Sequence, residues 1–197
     1  CNGFQALVKS GLLPYGKTAP LLGMREVPRG AEILPVVEPT GQVVGRTTRE
    51  FCHAGTCPLH PVVHLHVIDR FSRIYLQKRG PAKDLYPGYW DTAVGGHVGY
   101  GEYLEEALYR EAAEELALYD FNPVYLRSYV YHGRNEEELV NVFAAIRSSM
   151  PRISGDEVSD ARFWTPEAIA KSKGKGILTP NFEAEYEQIK DSLEALL

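Results

Sequence analysis

A layered mixture of strands and helices, α+β or α/β, is predicted by three observations. Short apolar or alternating runs recur at strand length, three segments carry helical spacing, and clusters of Gly, Pro, Asn and Asp divide them. No internal repeat or low-complexity tract interrupts the pattern. At 197 residues the chain forms one domain of ordinary size with an N-terminal arm, and it can bury a core.

Each element has its own signal. Residues 1–30 carry Gly, Pro and Lys at spacings that define neither helix nor strand, and read as a poorly ordered arm. Residues 31–197 read as the domain. Ile33–Val37 and Val43–Thr47, around Pro39-Thr40-Gly41, predict a hairpin. His60–Asp69 and Arg73–Lys78 predict two strands joined at Arg70-Phe71-Ser72, and Trp90–Val98 a short one. A helix over about 103–117 follows. Strands at 124–132 and 139–147 come next, then a loop with Pro151, Ser154 and Gly155, then a strand at Ala161–Trp164. Thr165-Pro166-Glu167 is a helix start, and Phe182, Tyr186, Ile189 and Leu193 give the tail helical spacing.

Composition narrows the function. Net charge is −5 with no basic run, so nothing points to electrostatic binding of nucleic acid polymers. No run of about eighteen apolar residues exists to span a membrane. The three cysteines Cys1, Cys52 and Cys57 make no disulfide framework, which favours the reducing cytoplasm. Cys52 and Cys57 form C-x4-C without a second pair, a weak zinc signal. The chain opens on Cys1 instead of Met; a truncated start, a processed start and a lipid-anchored Cys1 all fit those letters.

The chemistry concentrates between Gly96 and Leu118, which reads GHVGYGEYLEEALYREAAEELAL. Leu104, Leu108, Ala112 and Leu116 recur every four positions and mark a buried stripe. At about 100° per residue, Glu111 and Glu115 fall within roughly 60° of Leu108, on the core side. Carboxylates buried close together need a cation or a proton, and Mg²⁺ suits oxygen ligands. Glu105 and Glu106 instead fit a solvated face. Gly95, Gly96, Gly99 and Gly101 precede the helix, whose free N–H groups favour an anion.

This segment resembles the Nudix box, G-x5-E-x7-R-E-U-x-E-E-x-G-U, where U is a bulky aliphatic residue. Gly96, Glu102, Arg110, Glu111, Glu114, Glu115 and Leu118 fall in place. Ala112 is a small residue for U, and Ala117 stands where the last Gly is usual. The resemblance implies an α/β/α sandwich around a mixed sheet. It also implies divalent-metal-dependent hydrolysis of a nucleoside diphosphate linked to another group, by a small-molecule enzyme that forms homodimers in some cases. Glu111, Glu114 and Glu115 would hold Mg²⁺ or Mn²⁺, with the Gly96 carbonyl as a further ligand. Arg110 would orient the carboxylates, and Glu102 would bind metal indirectly or cap the helix. Glu157 and Glu138 are the candidate general bases. Arg79 and Lys83 are candidates for the phosphate tail, although an exposed basic loop explains them equally well.

A second constellation is imidazole-rich. His53 and His60 are seven apart, His97 follows Gly96, and Glu136 and Glu138 alternate before a strand. Two apart on extended backbone, those carboxylates share a face, and imidazoles with carboxylates suit zinc, manganese or iron. The pattern is similar to the isopentenyl-diphosphate isomerase branch of the same superfamily, in which three histidines and two glutamates bind a metal. His53, His60, His97, Glu136 and Glu138 would be that second site here. The isomerase's catalytic cysteine sits two residues before the last histidine, a position held here by Gly95. Glu111 also restores the hydrolase carboxylate set, which the isomerase pattern breaks with a basic residue. His64 and His66 share the strand face of His60 and read as packed or hydrogen-bonded. Two other readings stand beside the hydrolase: an isomerase using another acid such as Tyr129 or Tyr131, and a non-catalytic diphosphate sensor.

Overall fold

The helix caps and strand patterns foreseen in the sequence appear in the computed structural model, which describes residues 20–23, 26–83, 85–147, 149, 153 and 158–197. Most of the expected arm, and the loop holding Pro151, Ser154, Gly155 and Glu157, lie outside the described residues. The strands are β1 (Ile33–Val37), β2 (Val43–Thr48), β3 (His60–Ile68), β4 (Ile74–Arg79), β5 (Trp90–Asp91), β6 (Val94–His97), β7 (Val124–His132), β8 (Glu137–Ile146) and β9 (Val158–Trp164). The helices are α1 (Arg49–Cys52), α2 (Leu104–Leu116), α3 (Pro166–Ser172) and α4 (Pro180–Glu194). This is the α+β class with a mixed sheet. Strand order in the larger sheet is β5-β4-β3-β8-β7, with β6 on β3 and β9 on β4, while β1 and β2 make a separate antiparallel pair.

Strand bounds differ from the patterns at several places, as where the last two strands start early at Glu137 and Val158. The single strand expected over 90–98 is broken at Thr92-Ala93 into β5 and β6. The short turn α1 was invisible to periodicity; Thr48 caps it by accepting a bond from the Phe51 N–H.

The chain divides into two units. One holds residues up to 63, with 96–108 and 127–141; the other holds 64–95, 109–126 and 142–197. In the first, the hairpin is extended by the last residues of the expected arm. The Leu22 N–H donates to the Arg46 carbonyl and the Arg46 N–H to the Pro20 carbonyl, both at 2.8 Å. Leu34, Val36, Val62, Val63 and Leu139 are buried there. Asn141, fully buried, donates to the carbonyls of Val62 and Leu139, so its burial leaves no amide hydrogen bare.

In the second unit β4 pairs along its length with β9, from Ile74 opposite Trp164 to Arg79 opposite Val158. Trp90 and Trp164 meet edge-on, and the Arg162 guanidinium lies 4.6 and 4.9 Å from their ring centres. Thr165 and Thr179 cap α3 and α4, each just before a proline at the helix start. The α4 stripe of Phe182, Tyr186, Ile189 and Leu193 is buried as its spacing requires. Glu185 lies in that stripe and is also fully buried. A carboxylate there needs partners, and they identify a site.

Candidate functional sites

Residues 109–116 of α2, in the second unit, carry the carboxylates. Its packing stripe is buried as expected, with Leu108, Ala112 and Leu116 fully covered. Glu115 lies on the same side and is 7% exposed. Its carboxylate accepts hydrogen bonds from Gln77 Nε2 at 3.0 Å and the Gly95 N–H at 3.3 Å. Burial, then the charge of Glu111, pushes the carboxyl up to about 8, against the opposing pull of Lys83 and those two donors. Two neutral donors do not offset a buried negative charge. The donor set, oxygen-only and doubly acidic, fits a hard divalent cation.

Arg110 orders the rest of the cluster. It donates to Glu111 at 2.7 Å and lies 3.5 Å from Glu114, whose side chain is 61% exposed. Glu115 is buried and Glu111 mostly so, while Glu114, on the same stretch of helix, is the exposed member of the three. The helix ends with Ala117 in the left-handed region at φ 46°, and the Leu118 N–H returns to the Ala112 carbonyl. Here the usual glycine would have been unstrained.

A second buried carboxylate in this unit has its charge met from within. Glu185 lies between two imidazoles, with His64 Nδ1 at 2.9 Å and His66 Nε2 at 2.5 Å. Burial alone would raise its carboxyl, but the charge and hydrogen bonds of His64 and His66 outweigh that and hold it well below the usual range. Thr92 Oγ1 lies 3.4 Å from the His66 ring nitrogen. The expectation that His64 and His66 are hydrogen-bonded sheet residues describes their contacts. Their partner, 119 to 121 residues away in sequence, left no local signal.

In the first unit three imidazoles converge. His53, His60 and His97 bring one ring nitrogen each within 4.8 Å of the others. His60 Nδ1 donates to the Pro58 carbonyl at 2.9 Å, which leaves Nε2 as the lone-pair nitrogen. That atom is buried and without a hydrogen-bond partner. Burial foremost also holds His60 below its ordinary pKa, in the neutral form a metal needs. His53 Nδ1 meets Glu136 at 3.1 Å, and its Nε2 lies 3.1 Å from His97 Nε2. A carboxylate behind one histidine and a carbonyl behind another are the supports typical of metal-bound imidazoles. The trio fits a transition metal.

The remaining candidates are placed as follows. Glu136 is drawn to the trio through His53, whereas Glu138 lies buried on β8. Gly96 and His97 close β6. Glu102 binds the Gly99 N–H at 2.8 Å, bracing the turn into α2. Arg79 is engaged by Asp91 at 3.1 Å and by the Leu85 carbonyl, while Lys83 exerts its charge on Glu115. Cys52 and Cys57 are free thiols. Burial, then Cys57, pushes the Cys52 thiol up to about 12. No helix among the described residues is long and apolar enough to cross a membrane.

Comparison with known proteins supplies a family frame. The NUDIX domain matches residues 58–182. An isopentenyl-diphosphate Delta-isomerase of Leifsonia xyli subsp. xyli is 32% identical over 67% of this chain and 76% of its own length. One from Agromyces mediolanus is 30% identical over 71% of each. Among solved structures, DR0079 from Deinococcus radiodurans covers 80% of this chain and 98% of its own, with TM-score 0.69 and 24% identity. The NUDIX domain of Shewanella oneidensis NrtR, solved with ADP ribose, covers 68% of this chain and 87% of its own, with TM-score 0.57 and 19% identity. These structural likenesses concern the fold.

Proposed function

Because the chain belongs to the NUDIX family, we propose that it is a divalent-metal-dependent hydrolase that cleaves the diphosphate bond of a nucleoside diphosphate linked to another group. The observation that carries this reading is Glu115: a buried carboxylate beside Glu111, with only neutral hydrogen-bond donors on its oxygens. Glu111, Glu114 and Glu115 would hold Mg²⁺ or Mn²⁺, with the Gly96 carbonyl as a further ligand. Bound there, the cation supplies charge neutralisation for the phosphates and makes water a better nucleophile. Arg110 fixes the Glu111 carboxylate for that task. Gln77 and the Gly95 N–H orient Glu115. Lys83 adds positive charge on the same side, suited to a phosphate, while Arg79 shapes its loop through Asp91. Glu138 and Glu157 are the candidate bases from the sequence.

Gly95 favours hydrolysis over isomerisation, since the isomerase's acid would be a side chain at that position. One observation favours the second reading, an isoprenoid-diphosphate isomerase: the imidazole trio with its orphaned His60 nitrogen. The curated relatives that match this chain carry the isomerase name. Free Cys52 and Cys57 support placement in the reducing cytoplasm, and a homodimer is part of the proposal. The deciding experiment is a panel of diphosphate compounds with Mg²⁺ or Mn²⁺, isopentenyl diphosphate included. Metal-dependent phosphate-bond cleavage is expected. Formation of dimethylallyl diphosphate without cleavage would replace the hydrolase by the isomerase, and tight binding without turnover by the sensor.

A further inference from the structure

The loop between β4 and β5 is closed at its base by two backbone hydrogen bonds. The Arg79 N–H donates to the Tyr89 carbonyl at 2.9 Å, and the Gly88 N–H to the Arg79 carbonyl at 3.0 Å. Its middle takes little part in the core, since Leu85 and Tyr86 are 40% and 41% exposed. A polar brace crosses it instead. Arg79 Nε donates to the Leu85 carbonyl at 2.9 Å, and Arg79 Nη1 donates to Asp91 Oδ2 at 3.1 Å. How the guanidinium is held therefore sets where the middle of the loop lies.

Asp91 is the fixed end of that brace. Its Oδ1 accepts from Thr179 Oγ1 at 2.8 Å and from the Thr92 N–H at 2.9 Å. The Thr179 hydroxyl in turn caps α4 by accepting from the Phe182 N–H at 3.2 Å, and Thr179 is buried. One carboxylate thus joins β5, the start of α4 and the end of β4, all within the second unit. A charge-assisted bond to a planar guanidinium fixes direction as well as distance.

The place of Asp91 in the sheet gives this brace a use. Asp91 pairs with Gln77 across the β4–β5 ladder, so their side chains share one face. On that face Gln77 donates to Glu115. Arg79, two residues past Gln77 and bonded to Asp91, belongs to the same side. A guanidinium has five N–H donors, and the two side-chain bonds above engage two of them. Such a fork, held beside carboxylates that suit a cation, matches the oxygens of a diphosphate.

We propose that Asp91 is a positioning residue for diphosphate binding: it orients Arg79, and through Arg79 the loop between β4 and β5, beside the carboxylate cluster. This rests on the hydrolase reading above for its ligand. Asp91 itself touches no phosphate.

Inorganic pyrophosphate with Mg²⁺, titrated into the full chain by calorimetry, is the probe. Asp91→Asn keeps the shape but weakens the hold on Arg79, and should lower pyrophosphate affinity about tenfold. Arg79→Ala should lower it at least as much, and the double variant should fall no more than about twofold below Arg79→Ala, because both act through one brace. On the substrate found in the panel, Asp91→Asn should raise KM about tenfold with kcat within about threefold of wild type. Glu185→Gln, which loosens a different cluster, should keep pyrophosphate affinity within about twofold. Thr179→Val takes only the hydroxyl from Oδ1 and covers the case in which Asp91→Asn fails to fold; it should weaken pyrophosphate about threefold. Unchanged affinity in the folded Asp91 or Thr179 variant would overturn the proposal. So would additive losses in the double variant, or an equal loss in Glu185→Gln, either of which would leave Asp91 a residue of the fold alone. A wild-type protein that binds pyrophosphate but cleaves no diphosphate sinks the hydrolase reading and leaves the affinity test standing. One that binds no pyrophosphate overturns the positioning role itself.

Discussion

Glu115 and Glu185 are both buried glutamates in one unit of this protein, yet burial has driven them to opposite states. Glu185 meets two imidazoles and is held ionised well below its normal range. Glu115 meets an amide, a backbone N–H and the charge of Glu111, and its carboxyl rises to about 8. The chain completes the first environment itself; on the proposed reading a cation completes the second.

The largest expected effect breaks that contrast at Glu115. Glu115→Gln keeps the shape and both donors but removes the charge a cation would need. Steady-state assays should show turnover reduced by about 10³-fold, roughly 4 kcal/mol of transition-state stabilisation, with melting unchanged or raised. Near-wild-type turnover would remove Glu115 from the site. The mirror-image change, Glu185→Gln, breaks a buried ionic cluster and should cost about 3–5 kcal/mol of stability in denaturant unfolding. A loss below about 1 kcal/mol would mean that the cluster is not a structural anchor.

The same contrast predicts opposite pH dependences. The depressed Glu185 carboxyl contributes stability that is complete above its ordinary value of 4.5 and is lost as pH falls towards its folded value. The raised Glu115 carboxyl works the other way. Without metal it holds its proton in the folded state while the unfolded chain has released it, so stability falls between pH 4.5 and about 8. The slope is about 1.4 kcal/mol per pH unit at most. Unfolding measured across that range with a chelator, and again with Mg²⁺, should show the decline and then its flattening. A decline that persists in Glu115→Gln would assign it to another group.

In the first unit the expected effect is smaller, because Glu136 supports a histidine instead of carrying the charge alone. Glu136→Gln leaves an acceptor for His53 but weakens it, and should reduce zinc or manganese affinity by about 10–100-fold in calorimetric titration. An unchanged affinity would show that the imidazoles need no carboxylate behind them.

How far these sites were legible depends on the range of each interaction. The Nudix segment was readable because a helix places residues three and four apart side by side, so the Arg110, Glu111 and Glu115 pattern is a local statement. The histidine trio was readable only through a resemblance, since His53, His60 and His97 lie on three separate segments. The Pro58 carbonyl that frees His60 Nε2 gave no warning, although it lies two residues away. Glu185 was legible as an anomaly and missed: a glutamate three residues after Phe182 and four before Ile189 interrupts an apolar stripe. Its partners on β3 depend on tertiary pairing, which no periodicity reveals. Gly95 was noticed for the cysteine it replaces; its packing against the His64 ring emerges only in three dimensions.

The smallest expected effect lies at the end of α2, where the carboxylate helix stops. Ala117 takes φ 46° so that the Leu118 N–H can reach the Ala112 carbonyl. An L-residue there suffers a Cβ clash of about 1–2 kcal/mol, partly offset by the entropy that glycine would lose on folding. Ala117→Gly should therefore stabilise the protein by about 0.5–1 kcal/mol in denaturant titration while leaving turnover unchanged. A destabilised variant would place Ala117 outside the left-handed cap. Altered turnover with unchanged stability would instead tie the helix end to the carboxylates, and so make the departure from glycine a functional one.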